Sequence, residues 1–241
     1  AKRTPGKTGT IHPAKPAKSR IPAEIVRKIS IFMIPFYAII VPMTISEEKN
    51  NLRAKMRVLL RQKRDFEELP IKAGNLVAEK IIKTDFYKMA EYVFLYMACG
   101  GEIDVLRLLT NSINDGKKVL LPKVHDGTCE MDFYFIDEKK SVQNQLTKGA
   151  FGISEPIDSL EKFDFSSCSD KKNILMIVPG LAFSKKGQRL GKGKGFYDRY
   201  LEELKKNNFS FYTIGAAYNE QVFENIPTER TDFILDSVIS D

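Results

Sequence analysis

Residue types that mark several common functional classes are scarce in this chain of 241 residues. It has no tryptophan, two histidines and three cysteines, which are Cys99, Cys129 and Cys168. Cysteines that are few, odd in number and far apart form neither a disulfide framework nor a zinc cluster, so a reducing compartment is expected. A histidine-based metal site or catalytic triad would depend on His125, which lies in a turn-like Val-His-Asp-Gly stretch and is predicted to be an ordinary loop residue.

An apolar run long enough to span a membrane is also missing. The run at residues 29–42 is too short and contains Pro35. Residues 1–28 are rich in Pro, Lys, Ala, Gly and Ser, which predicts disorder. Two interpretations of residues 1–42 stay open: a basic leader or translated upstream extension before a working start near Met43, or an organelle-targeting segment. The expected location is therefore the cytoplasm, with an organelle as the alternative.

The excess of basic residues is confined to the first part of the chain. The formal net charge is +7, and the first 42 residues carry eight Lys or Arg and one Glu, which accounts for all of it. The rest of the chain carries 30 basic and 30 acidic side chains. A neutral body gives no compositional support for a nucleic-acid-binding or membrane-binding face, so neither partner is expected, and only the basic leader leaves such binding open.

Apolar periodicity predicts alternating helices and strands from Thr44 onward. Thr44 and Glu47 fit a capping box that begins the first helix, on which Lys49 and Arg53 share one face. Further helices are predicted at 71–82, 103–113 and 196–206, and strands at 92–97, 118–121 (stopped by Pro122), 131–136, 174–178, 211–217 and 233–238, with a loop at 138–172. This alternation is typical of a three-layer α/β/α sandwich with a mostly parallel central sheet, formed by one domain at residues 43–241.

The segment after the strand at 174–178 carries the strongest chemical signal. Four glycines lie among five cations in it: Gly187, Gly191, Gly193, Gly195, Lys185, Lys186, Arg189, Lys192 and Lys194. Closely spaced glycines let backbone N–H groups turn toward an anion, and the N-terminus of the following helix favours one. The spacing fits neither a Walker motif nor a dinucleotide-binding fingerprint. It predicts a nucleotide-phosphate site, where Asp198 would offer Mg²⁺ a hard oxygen ligand and where Glu102, after another strand, would lie on the same rim.

This segment resembles the signature of the 5-formyltetrahydrofolate cyclo-ligase family, also called methenyltetrahydrofolate synthetases. Twelve positions match: Pro179, Gly180, Ala182, Phe183, Gly187, Arg189, Leu190, Gly191, Gly193, Gly195, Tyr197 and Asp198. Other family elements follow in order over residues 44–240: Lys49 with Arg53, Glu102–Val105, Leu121–Val124, Gly152–Pro156 and the tail Ile226–Asp232 with Asp236. The chain departs from the pattern at Asn173, Ser184, Phe196 and Thr231, where the family has Asp, Asp, Tyr and frequently His.

The resemblance implies a ligase that closes 5-formyltetrahydrofolate to 5,10-methenyltetrahydrofolate with ATP and Mg²⁺, releasing ADP and phosphate, in one-carbon metabolism. ATP would activate the formyl oxygen, and the second folate nitrogen would attack as phosphate leaves. Such chemistry needs positioned charge more than a nucleophilic side chain, which agrees with a segment of cations, glycines and carboxylates. The expected partners are the two small-molecule substrates, and the protein is expected to be a monomer.

The resemblance also implies roles for individual residues. ATP is expected to contact Lys49, Arg53, Arg189, Leu190, Gly191, Lys192, Gly193, Lys194, Gly195, Phe196 and Tyr197. Folate is expected to contact Met97, Glu102, Lys192 and Tyr197, with Glu102 on the ring nitrogens of the pterin. Asp198 and Asp232 are expected to bind Mg²⁺, and the catalytic set is Arg189, Lys192 and Asp198. Ordinary explanations stay open for each: a solvated helix face for the cations, a helix-dipole or turn role for the carboxylates, and core packing for the aromatic ring and the methionine.

Other functions are also compatible with parts of the sequence. A non-catalytic relative that only binds folate or nucleotide would be supported by the departures at Ser184, Phe196 and Thr231. A sugar-phosphate isomerase or an acyl-CoA transferase would share the layered architecture, but no motif supports either, and fold alone does not determine function.

Overall fold

A computed structural model describes residues 43–125, 127–149, 152–166 and 173–241. Contacts group Met43–Asp241 as one compact unit. The predictions for residues 1–42 lie outside the described residues. None of the described helices is long and apolar enough to cross a bilayer.

Five α-helices and eleven strands are present in the described part of the chain. The helices are α1 Ile45–Arg64, α2 Glu68–Ile82, α3 Asp85–Met89, α4 Leu106–Asn114 and α5 Phe196–Lys206. The strands are β1 Tyr92–Phe94, β2 Lys118–Val124, β3 Met131–Phe135, β4 Leu146–Lys148, β5 Ser154–Pro156, β6 Ile174–Val178, β7 Ala182–Ser184, β8 Arg189–Leu190, β9 Phe211–Ala217, β10 Val222–Phe223 and β11 Ser237–Ser240. Helix α1 begins at the predicted capping box, in which the Glu47 N–H donates to the Thr44 hydroxyl at 3.2 Å and the Thr44 N–H donates to the Glu47 carboxylate at 2.8 Å.

The central sheet has six strands in the order β11-β9-β6-β1-β2-β3. Every neighbouring pair is parallel except β2 with β3, which lies at one edge. Strand β6 is buried along its whole length, because it has a neighbour on each side and a helical layer over each face. The prediction of a mostly parallel sheet is confirmed.

Helices cover both faces of this sheet. Successive strand residues point to opposite faces, so Val93 and Phe94 belong to different cores. Val93 joins Met56 of α1 and Val77 of α2 in one core. Phe94 joins Leu201 of α5 in the other, which is rich in aromatic rings. These two helical layers around one sheet confirm the predicted three-layer α/β/α sandwich.

Two predicted strand ends are wrong, and both errors concern residues near the site. Strand β2 continues through Pro122 to Val124. Proline is tolerated there because β1 pairs only with residues 118–120, so no ladder on that side requires the missing N–H. Strand β1 itself ends at Phe94 instead of Met97, since the chain leaves the sheet after the Leu95 N–H has bonded to the Leu120 carbonyl.

Two further boundaries differ because local contacts replace regular structure. The helix predicted from Ile103 begins at Leu106, whose N–H donates to the Asp104 carboxylate at 2.7 Å. The last strand begins at Ser237 instead of Phe233. The reason is that residues 229–235 lie over the glycine-rich segment, residues 179–198. There the Phe233 N–H donates to Asp198 Oδ1 at 3.3 Å, and the Leu235 N–H donates to the Gly187 carbonyl at 2.9 Å.

Several short elements were not predicted. The expected loop at 138–172 contains the antiparallel pair β4 and β5. The glycine-rich segment contains β7 and β8, which form a three-stranded sheet with β10. Helix α3 is an addition, and α2 begins three residues earlier than Ile71. The sheet of β7, β8 and β10 holds the first part of the glycine-rich segment in place.

Candidate active site

A cavity of about 1280 Å³ opens where β1, β2 and β6 end at their carboxyl termini. This is the position that a parallel sheet predicts for a ligand site. The cavity is lined by every predicted site residue: Lys49, Arg53, Met97, Glu102, Arg189, Leu190, Gly191, Lys192, Gly193, Lys194, Gly195, Phe196, Tyr197, Asp198 and Asp232. The structure thus gathers residues that lie up to 183 positions apart in the chain.

The glycine-rich loop at residues 191–195 is held through its own carbonyl groups. Arg53 Nε donates to the Gly191 carbonyl at 3.1 Å, and Arg199 Nη2 donates to the Lys194 carbonyl at 2.6 Å. Gly193 has φ of 102° and Gly195, the N-cap of α5, has φ of 69°. Residues with a Cβ rarely adopt these conformations, so glycine is required at both positions. Both arginines therefore fix the loop at the N-terminus of α5, which favours an anion.

Arg189 and Asp198 form an ion pair beneath this loop. Arg189 Nη2 lies 2.8 Å from Asp198 Oδ1, and the exposed fractions of the two side chains are 4% and 25%. Arg189 Nη1 also donates to the Pro179 carbonyl at 3.3 Å. Arg189 Nε, however, has no acceptor among the described residues. Because buried donors are nearly always satisfied in native proteins, this Nε marks a place where a ligand oxygen would fit.

Lys49 lies between two carboxylates of the C-terminal tail. Its Nζ is 2.7 Å from Asp232 Oδ2 and 2.8 Å from Glu229 Oε2. The Glu229 N–H donates to the same Asp232 oxygen at 2.7 Å. Burial alone would lower the pKa of Lys49, but the bonds to Asp232 and Glu229 outweigh it and raise this pKa above its usual value. Lys49 is buried, so the explanation of a solvated helix face is wrong for this residue.

Glu102, Lys192 and Cys99 meet on another side of the cavity. Lys192 Nζ lies 2.7 Å from Glu102 Oε1 and donates to Cys99 Sγ at 2.9 Å. The Cys99 N–H donates to Glu102 Oε2 at 3.1 Å. Burial, aided by the Glu102 charge, raises the pKa of the Cys99 thiol, and the same two influences raise the pKa of Tyr197. Both groups are therefore neutral at physiological pH.

Two carboxylates of the cavity are suited to a metal ion that arrives with phosphates. Asp198 Oδ2 and Asp232 Oδ1 have no hydrogen-bond donor among the described residues, whereas the other oxygen of each is engaged. The described residues contain no group of three or more His, Cys, Asp or Glu side chains placed to hold a metal by themselves. Mg²⁺ commonly takes only one or two protein carboxylates and completes its shell with phosphate oxygens and water. This donor set fits that pattern.

Six charged residues that line the cavity were not predicted from the sequence: Glu155, Arg199, Glu202, Lys205, Glu229 and Arg230. Glu155 of β5 is buried and accepts a bond from the Val124 N–H at 3.4 Å. Glu229 engages Lys49, and Arg199 holds the glycine-rich loop. Glu155 and Glu229 belong to family elements already noted in the sequence, Gly152–Pro156 and the tail. Those elements were the available signal, although neither indicated a side-chain role.

The departures from the family pattern leave the cavity intact. Ser184 takes over a turn-capping task, since its Oγ accepts bonds from the Lys186 N–H at 3.2 Å and the Gln188 N–H at 3.3 Å. Phe196 and Thr231 still line the cavity. His125 is not among the lining residues of this cavity and instead contacts Asp132 at 2.6 Å.

Comparison with known proteins gives one consistent family. Residues 45–241 match the family model described as the 5-formyltetrahydrofolate cyclo-ligase family. A probable 5-formyltetrahydrofolate cyclo-ligase of Caenorhabditis elegans is 32% identical over 198 residues, which cover 81% of this chain and 93% of the relative. A 5-formyltetrahydrofolate cyclo-ligase of Arabidopsis thaliana, named as mitochondrial, is 24% identical over 92% of this chain and 86% of its own length.

Solved structures agree with this result. The 5,10-methenyltetrahydrofolate synthetase of Aquifex aeolicus is 28% identical with a TM-score of 0.56, covering 81% of this chain and 89% of its own. The synthetase of Mycoplasma pneumoniae, 22% identical with a TM-score of 0.57, covers 80% of this chain and 99% of its own and shares the fold. Motifs, architecture and cavity all point the same way, and the chain belongs to the 5-formyltetrahydrofolate cyclo-ligase family.

Proposed function

We propose that this chain uses ATP and Mg²⁺ to close 5-formyltetrahydrofolate to 5,10-methenyltetrahydrofolate. As a member of its family, the chain is a ligase of folate metabolism. The observation that carries the proposal is that one cavity combines a cationic loop at a helix N-terminus with a separate buried carboxylate, Glu102. Its volume of about 1280 Å³ exceeds the roughly 300–1,000 Å³ usual for one drug-sized ligand, which suits two substrates held together.

The nucleotide phosphates would bind at the glycine-rich loop. Arg189 Nε, which has no acceptor among the described residues, would donate to a phosphate oxygen. Arg53 of α1 bonds this loop and Lys49 of α1 lines the same cavity, and both would neutralise phosphate charge. Charged donors in a partly buried site stabilise the charge of phosphoryl transfer more strongly than they would in water.

Asp198 and Asp232 would hold Mg²⁺ through the two oxygens that no described donor engages. When bound, the ion neutralises phosphate charge and orients the oxygens. Arg189 and Lys49 keep the two carboxylates in place by binding their other oxygens. The metal role is therefore one that these residues can fill together with the nucleotide.

Folate would bind on the side of Glu102. The pterin ring carries N–H donors, and the buried Glu102 carboxylate is an acceptor for them. Lys192 lies between this carboxylate and the loop, where its ammonium would stabilise charge on the formyl oxygen as phosphate is added to it. The second folate nitrogen then attacks the formyl carbon and phosphate leaves. The chain supplies orientation and charge, and no side chain needs to act as a nucleophile.

One assay separates a catalyst from a relative that only binds its ligands. The methenyl product absorbs in the near ultraviolet, so mixing the protein with 5-formyltetrahydrofolate and MgATP should produce this absorbance together with stoichiometric ADP. Omission of ATP or Mg²⁺ is the control and should abolish the signal. Binding of both ligands without any product would instead support the non-catalytic alternative.

The proposal also covers location and assembly: the protein would lie in the cytoplasm and would be a monomer. An organelle is the alternative location, and the mitochondrial name of the Arabidopsis thaliana relative is its support. Cell fractionation tests the location, and mass spectrometry of the native N-terminus shows whether residues 1–42 are present. Light scattering of the purified protein measures the oligomeric state.

A further inference from the structure

Lys192 is one of two residues expected to contact both substrates, and two neighbouring side chains already engage it. Its Nζ lies 2.7 Å from Glu102 Oε1 and 2.9 Å from Cys99 Sγ. Glu102 and Cys99 are also tied to each other, because the Cys99 N–H donates to Glu102 Oε2 at 3.1 Å and the thiol lies 3.5 Å from the same oxygen. We call the three residues the lysine clamp. It joins the β1–α4 connection to the glycine-rich loop.

The carboxylate of the clamp has one oxygen whose partner a ligand could replace. The Glu102 side chain is 6% exposed, and the Lys192 ammonium is the one partner of its Oε1 among the described residues. A buried carboxylate oxygen that loses its partner needs another donor, so a ligand N–H is the group that would replace the ammonium. An ammonium at 2.7 Å occupies the approach to that oxygen. A pterin donor and the clamped Lys192 therefore compete for one place.

The Lys192 ammonium would also bind phosphate on the nucleotide side of the cavity. Lys192 belongs to the glycine-rich loop, its neighbours in sequence are Gly191 and Gly193, and its side chain is about half exposed. Glycine neighbours allow the backbone to shift without steric penalty. Burial alone would lower the pKa of Lys192, but Glu102 and Cys99 outweigh it and raise this pKa, so the group that moves carries its full charge.

We propose that Lys192 exchanges between Glu102 and a nucleotide phosphate, so that each substrate strengthens the binding of the other, and that Cys99 is the positioning residue that sets the size of this coupling. The inference rests on the proposed function. Both substrates bind the released arrangement of Lys192, in which Glu102 is open to folate and the ammonium is open to phosphate. The first substrate supplies the free energy that opens the clamp, and the second binds without that cost.

Calorimetric titration of the full chain tests the exchange. The Kd of 5-formyltetrahydrofolate is measured with and without Mg²⁺ and an ATP analogue whose β–γ bridge is nitrogen, which prevents turnover. In the wild type we expect the analogue to lower the folate Kd by about fivefold or more, the lower end of typical coupling. Reciprocity requires folate to lower the Kd of the analogue by the same factor.

Cys99→Ala is the decisive variant because Cys99 is outside the proposed catalytic and binding set. Loss of the Nζ–Sγ bond weakens the clamp, so each ligand alone should bind more tightly by up to about fivefold, the equivalent of one hydrogen bond of about 1 kcal/mol. The coupling factor should fall by the same amount. The Kd of each ligand, measured with the other ligand at saturation, should not change. Cys99→Ser keeps a polar group and should lie between wild type and Cys99→Ala, which preserves the test if the alanine variant does not fold. Cys129→Ala removes the other free cysteine of the described residues, which is exposed, and should change nothing.

Three results would overturn the exchange. Independent binding of the two ligands to the wild type would show that no shared group links them. Weaker binding of either ligand alone to Cys99→Ala would show that Cys99 merely supports the pocket. Failure of the wild type to bind either ligand would contradict the proposed function itself, and the exchange with it.

Discussion

Asp198 combines a proposed catalytic task with a structural one, and two substitutions separate them. Asp198→Ala removes both the charge and the oxygen that accept bonds from Arg189 and from the Phe233 N–H. Asp198→Asn removes the charge but keeps an oxygen in place. If Asp198 binds Mg²⁺, both variants should lose turnover by about 100-fold or more, as expected when a preorganised electrostatic group is removed. Their stabilities should differ.

The magnitude of the stability loss follows from burial. Removing one partner of a buried ion pair costs about 3–5 kcal/mol. Asp198 is 25% exposed, and Arg189 keeps its bond to the Pro179 carbonyl. We therefore expect Asp198→Ala to lower the free energy of unfolding by about 2–3 kcal/mol, at or below the lower end of that range. Asp198→Asn should lower it by about 1 kcal/mol. For a domain of this size each kcal/mol shifts Tm by about 2–4 °C, so Tm should fall by about 4–12 °C and about 2–4 °C respectively.

Differential scanning calorimetry and the absorbance assay measure the two effects in the same preparations. Glu203→Ala is a matched control, because Glu203 lies on the same helix and forms an exposed ion pair with Lys206. Such pairs contribute about 0–1 kcal/mol, and this variant should keep full turnover. Turnover above about a tenth of wild type in Asp198→Asn would refute the metal role. A wild-type Tm for Asp198→Ala would refute the argument from the buried ion pair.

Three other substitutions test separate parts of the description. Glu102→Gln should raise the Kd of 5-formyltetrahydrofolate far more than that of ATP, and equal losses in titration would contradict the pterin assignment. Gly193→Ala forces a Cβ onto a backbone with φ of 102° and should raise the KM for ATP about tenfold, the equivalent of roughly 1.4 kcal/mol of strain. Gly116→Ala is the control: Gly116 has φ of 72° on another turn, so its replacement should lower Tm without changing this KM. Asp132→Asn should lower the free energy of unfolding by up to about 1 kcal/mol at neutral pH. Burial raises the pKa of Asp132, but bonds from Lys162 and His125 outweigh it and hold this pKa below the usual 3.8, so the stabilisation is present above pH 3.8 and is lost as the pH falls further. A difference between wild type and Asp132→Asn that persists unchanged in thermal unfolding at pH 2 would contradict this sign.

The sequence predicts those elements whose apolar pattern is continuous or strongly periodic. Strands β6 and β9 and helix α5 have the predicted bounds, because burial on both faces or an amphipathic helix leaves a clear pattern. Strands β7, β8 and β10 contain two or three residues each and exist only because they pair with one another. Strand β10 pairs with β7 across about 40 residues, which has no local signature, and the strands of the β7–β8 hairpin are too short to show an alternating pattern.

The candidate site, like the fold, has features that the sequence predicts and features that it does not. The motif identified the residues that line the cavity, and the topology of a parallel sheet predicted where they would meet. Their partners could not be predicted from spacing, since Lys49 is paired with Glu229 across 180 positions of sequence. Contacts of this kind depend on how residues 229–235 fold over the glycine-rich segment.

The neutral composition of residues 43–241 has a local counterpart in the cavity. Three cations proposed to bind phosphate are each engaged by a carboxylate that is proposed to bind something else: Lys49 by Asp232, Arg189 by Asp198, and Lys192 by Glu102. A count of lysines and arginines therefore overestimates the attraction of this loop for a lone phosphate, because each cation is already largely neutralised. A folate that takes Glu102 would release Lys192 toward the nucleotide, whereas Lys49 and Arg189 would stay on the aspartates whose other oxygens hold the metal. The metal adds the positive charge that these two neutralised cations lack, so nucleotide, metal and folate favour one another's presence, which is what a ring closure driven by ATP requires.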